Sequence, residues 1–138
     1  MLNDLKDRVD MIGKTNWPTL SIFPEGTTTN NKCLLKFKKG AFMTLTPVKV
    51  IVIKYSTDGF FPTIDNISGL GTLVMICCNP FIKATVLEFE GLYNPDYLNL
   101  DPKDENSWKV YAQKVRDIMS KASGIPKQDI GWKEIYSF

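Results

Sequence analysis

The chain has 138 residues, room for one domain, with an ordinary apolar fraction of 43% and charged fraction of 23%. A net charge of +2 gives no electrostatic ground for nucleic acid as a partner, yet is compatible with anionic lipid or phosphate. The count of histidine is 0, which excludes Ser-His-Asp and Cys-His catalysis within these residues and removes the commonest neutral-pH base and metal ligand.

In chain order, Leu2, Leu5, Val9 and Ile12 fall at helical spacing and predict an amphipathic helix ending at Gly13. No basic region leads into an apolar stretch there, so no secretory signal is expected. Residues 19–23 are a short β-prone run stopped by Pro24, and residues 25–32 form a loop rich in Gly, Thr and Asn. A short helix is expected around residues 40–45. Residues 48–55 are nearly continuous Val and Ile, the pattern of a strand buried on both faces in a parallel sheet.

Residues 66–78 predict an apolar helix, for which a place in the core is the simplest reading. Its longest apolar run, residues 73–78, is closed by Asn79-Pro80 and falls far short of the ~20 residues that span a bilayer. A third strand is expected at residues 83–90. A helix over residues 105–123 places Trp108, Tyr111 or Ala112, Val115, Ile118 or Met119, and Ala122 on one face and stops at Gly124 and Pro126. The tail aromatics Trp132, Tyr136 and Phe138 are suited to docking on the domain. The three cysteines, Cys33, Cys77 and Cys78, have no CxxC spacing, which argues against a disulfide framework and a zinc site. Their apolar neighbours predict buried free thiols in a reducing compartment. The alternation of helix and strand implies an α/β fold with a mainly parallel sheet flanked by helices. Three strands are few for such a sheet, and the fold is expected to lack strands on its N-terminal side.

The informative stretch is FPEGTTTN, residues 23–30. A strand running into Phe-Pro and then a Glu-Gly-Thr turn offers hydroxyls, an amide and backbone N–H groups at a strand end, a fit for an anionic oxygen. Glu25 reads either as part of that ligand set or as a structural carboxylate capping backbone amides. Lys36, Lys38 and Lys39 form a basic cluster beside the motif, suited to phosphates or lipid headgroups or simply to a solvated helix entry.

FPEGT resembles the hallmark of the glycerophospholipid acyltransferases. The longer run through CLLKFKKGAF, with Pro47-Val48, Val86-Leu87-Glu88-Phe89 and the closing Lys121-Ala122-Ser123-Gly124, is similar to the lysophosphatidylcholine acyltransferase branch. The resemblance implies acyl transfer from acyl-CoA, a co-substrate, to a lysophospholipid, with no further cofactor. It implies that Glu25, Gly26 and Thr27, with Thr28, Thr29 and Asn30 beside them and Lys36 close by, bind the acceptor's glycerol and phosphate.

The chain departs from the family pattern in three ways. Thr28 stands where many relatives place an arginine, so bidentate pairing with phosphate is lost at that position. Val50 replaces a second proline of the strand motif. The His-x4-Asp motif, whose histidine takes the proton from the acceptor hydroxyl, belongs upstream of residue 1. An unshifted carboxylate, with a pKa of about 4.3, is a poor substitute.

The expectation is thus a single partial acyltransferase-like domain over residues 1–138, the C-terminal half of the family domain, not catalytic alone. An upstream catalytic half or another subunit would complete it. The alternative is a catalytically dead subunit serving as a scaffold or lipid-binding module. Either way, intracellular peripheral contact with membrane, phospholipid or lysophospholipid as ligand, and no metal are expected.

Overall fold

A computed structural model describes residues 7–8, 11, 19–27, 32–57, 69–79 and 81–131. Strand β1 (Ile51–Thr57) is followed by helix α1 (Gly69–Cys78), strand β2 (Ile82–Glu88) and helix α2 (Ser107–Ser123), with 3-10 turns at Lys39–Ala41 and Pro95–Leu98. Asp7, Arg8 and Met11 are helical; most of the first expected helix lies outside the described residues, as do the three tail aromatics.

Helix α2 organises the core. Tyr111, Ala112, Val115 and Met119 recur at helical spacing and are buried against Leu34, Phe37, Phe42, Val50, Val52 and Ile125. Tyr111 is fully buried; its ring meets Phe42 edge-on at 5.4 Å and stacks on Tyr93 at 5.9 Å. Its hydroxyl donates to the carbonyls of Thr46 (2.9 Å) and Tyr93 (3.0 Å), tying the helix to the two segments flanking the strand pair. Burial pushes its phenol up to about 12. The helix ends at Gly124, whose φ of 70° is the left-handed cap that glycine adopts without strain.

The parallel sheet expected from the Val/Ile run is not what forms among the described residues. β1 and β2 pair antiparallel, in the register Ile51↔Glu88 through Thr57↔Ile82. A parallel return needs a crossover helix lying on the sheet. α1 does not supply one, because it contributes no residue to the hydrophobic core. Nor is β1 buried on both faces: Val50 and Val52 point into the core, whereas Ile51 and Tyr55 are exposed. Residues 19–23 form no strand. Among the described residues, parallel pairing is confined to an isolated bridge between Leu34 and Lys127.

α1 is not a core helix. Leu70 is 74% exposed, Leu73 57% and Val74 55%, and Thr72 is the sole buried residue in it. No helix among the described residues is long and apolar enough to cross a membrane. The cysteines are free, but only Cys33 is even partly buried; Cys77 and Cys78 are exposed at the end of α1.

Candidate functional site

The motif loop starts as a tight turn. The Gly26 N–H donates to the Phe23 carbonyl at 3.2 Å, which puts Pro24 and Glu25 at the two central turn positions. Proline presets the backbone angle required at the first of these. Gly26 follows with φ 69°, a left-handed conformation that side chains with a Cβ disfavour.

This turn is held by the extended segment 34–38 at three successive residues. The Lys38 N–H donates to the Pro24 carbonyl at 2.7 Å. The Leu35 N–H donates to the Glu25 carboxylate at 3.4 Å. The Lys38 ammonium donates to the Gly26 carbonyl at 3.3 Å. Segment 34–38 is itself laid along the chain that follows α2: Leu34 N–H bonds the Pro126 carbonyl (2.9 Å), Gln128 N–H the Leu34 carbonyl (3.0 Å) and Lys36 N–H the Ile130 carbonyl (3.2 Å).

Burial pushes the Glu25 carboxyl up, opposed by the Leu35 hydrogen bond and the positive charge of Arg116. Cys33 is also pushed up, by burial first and then by the Glu25 charge, and its thiol donates to the Gln128 side-chain oxygen at 3.1 Å. A thiol kept protonated is a poor nucleophile.

Of the expected site residues, Glu25, Gly26 and Thr27 are brought together in this turn. Thr28, Thr29 and Asn30 lie outside the described residues. Lys36 is placed elsewhere: it lines a groove of about 270 Å³ with Phe37, Trp108, Lys109, Gln113 and Arg116. A lysine that does contact the turn is Lys38.

The residue that sequence reasoning missed is Arg116. It is 2% exposed and is one of the largest fully buried side chains. Its guanidinium donates to the Leu34 carbonyl at 2.9 Å, to the Gln128 carbonyl and to Asp129 at 2.8 Å. That pairing holds the exposed Asp129 carboxyl below its usual range. A signal was present: Arg116 falls at helical spacing with Ala112 and Met119, on the apolar stripe of α2, where an unpaired charge is rarely found.

Residues 2–56 match the family model described as Acyltransferase. With the relatives that follow, this defines the class: the chain is a partial domain of the acyltransferase family. Within that family it is similar to a lysophosphatidylcholine acyltransferase of Drosophila melanogaster, at 35% identity over 136 residues, covering 96% of this chain and 24% of that protein. It is likewise similar to the lysophospholipid acyltransferase LPEAT1 of Arabidopsis thaliana, at 35% over 121 residues (86% and 29%). Human lysophosphatidylcholine acyltransferase 1 matches at 32% over 135 residues (96% and 24%). The chain thus spans about a quarter of the length of these relatives. No solved structure matches it.

Proposed function

We propose that this chain is the acceptor-binding part of a lysophospholipid acyltransferase. The Glu25–Gly26–Thr27 turn, continuing through Thr28, Thr29 and Asn30, takes the glycerol and phosphate of a lysophospholipid, and acyl-CoA is the acyl donor. The observation that carries this reading is the triple attachment of the turn to segment 34–38, which presets the loop before any ligand arrives. The relatives, all named for acyl transfer to lysophospholipids, support the same substrate class.

The proton-accepting base comes from outside these 138 residues, since no histidine is among them. The rest of a mainly parallel sheet belongs to the same missing part. The apolar, exposed α1 supports peripheral contact with a membrane.

The test is acyl transfer from acyl-CoA to lysophosphatidylcholine by the full-length polypeptide that carries this chain, compared with its Glu25→Gln variant. Transfer that weakens in the variant through a higher KM for the acceptor supports the reading. Lipid binding without any transfer, with all partner chains retained, leaves instead a catalytically dead scaffold or lipid-binding module.

A further inference from the structure

We infer that Arg116 is a positioning residue for the acceptor loop, acting on Glu25 through the single peptide group that joins Leu34 to Leu35. The inference rests on the proposed role of that loop.

The two ends of this peptide group carry different partners. Its carbonyl accepts from the Arg116 guanidinium at 2.9 Å and from the Gln128 N–H at 3.0 Å. Its N–H donates to the Glu25 carboxylate at 3.4 Å. A cation on the carbonyl polarises the amide and strengthens the N–H as a donor, so the three groups form one chain of hydrogen bonds. The amide plane is rigid, so fixing the carbonyl also fixes the direction of the N–H.

Arg116 is in turn clamped. The Gln128 carbonyl accepts from the same terminal nitrogen as the Leu34 carbonyl, Asp129 accepts from the other, and the side chain is 2% exposed. A charge this buried acts on Glu25 with little solvent screening. Among the described residues, groups near Glu25 include Lys38, which reaches Gly26 beside it, and the Cys33 thiol, raised by burial and then by the Glu25 charge. Burial works against the ionised carboxylate, while Arg116 and the Leu35 hydrogen bond both favour it. Helix α2, far along the chain from the motif, thereby fixes the N–H that meets the motif's carboxylate and favours its ionised form against the larger effect of burial.

The experiment measures binding of a short-chain lysophosphatidylcholine, below its micelle concentration, to the full-length protein between about pH 4.5 and 8, for wild type, Glu25→Gln, Arg116→Met and Arg116→Lys. The acid limb of binding reports Glu25 and is absent in Glu25→Gln. In Arg116→Met the limb moves to higher pH, and affinity on the limb falls about tenfold, the scale of one charge-assisted hydrogen bond. Arg116→Lys keeps the limb near its wild-type position.

An Arg116→Met limb that coincides with wild type, while Glu25→Gln has lost its limb, overturns the inference and leaves the acceptor-loop reading standing. Glu25→Gln that binds like wild type at every pH sinks the acceptor-loop reading itself, and this inference with it. Melting curves accompany each variant. Should Arg116→Met fail to fold, neutral Arg116→Gln, which retains a polar head, carries the same comparison.

Discussion

Lys38 closes over Gly26. Its ammonium donates to the Gly26 carbonyl, and a Cβ at residue 26 would collide with that same nitrogen. Glycine is therefore favoured here chiefly for the left-handed backbone, and a Cβ would also push the lysine's flexible end aside. Gly26→Ala is expected to lower stability by about 1–2 kcal/mol, mostly from the positive φ. Because the clash is with the end of a flexible side chain, Lys38→Ala should recover only a minor part of that loss. A double-mutant cycle on chemical denaturation separates the two contributions.

Glu25 gives a pH dependence of defined sign. Its carboxyl is raised in the folded state, so between its unfolded pKa (about 4.3) and its folded value the native protein holds more protons than the unfolded chain. Stability therefore falls as pH rises through that window and is level above it. Asp129 works the other way: its depressed carboxyl contributes stability above its unfolded pKa, lost as pH falls towards the folded value. Melting temperatures of wild type and Glu25→Gln, followed from pH 4 to 7, should diverge in favour of the variant as pH rises. Parallel curves would contradict the burial assigned to Glu25.

Tyr111→Phe keeps the core shape and removes one hydroxyl shared by two carbonyls. A stability loss of about 1–2 kcal/mol is expected, with no change in the denaturant slope. A neutral outcome would mean that the Thr46 and Tyr93 carbonyls find other donors.

Leu70, Leu73 and Val74 stabilise little, because they are exposed on α1. Replacing all three by glutamate should shift stability by no more than about 0.5 kcal/mol per site. It should also reduce cosedimentation with phospholipid vesicles. A large fall in melting temperature would show that α1 is packed against another part of the full protein rather than against lipid.

Local patterns were legible where local physics decides. α2 follows from its apolar spacing and its Gly124 stop, and β2 (Ile82–Glu88) from the alternation of apolar residues over 83–90. The motif turn was readable from Pro24 and Gly26. What was not legible depends on what each element packs against. The Val/Ile run at β1 suits a doubly buried parallel strand, yet among the described residues it meets β2 on one edge and the core on one face. α1 looks the same in sequence whether buried or bare, since an apolar helix carries no mark of its neighbours. Lys36, Lys38 and Lys39 are alike in composition, and it is the pairing of the Lys38 N–H with the Pro24 carbonyl, a long-range contact, that seats Lys38 beside Gly26.

The seam between segment 34–38 and residues 126–130 has one more implication. The motif's shape is written in two stretches of chain separated by β1, α1, β2 and α2. A transcript that skipped the coding region for α2 would keep every letter of FPEGT and lose the frame that shapes it. For the same reason, a synthetic peptide of the motif would be a poor mimic of the loop, and motif letters alone are a weak guide to which splice forms retain function.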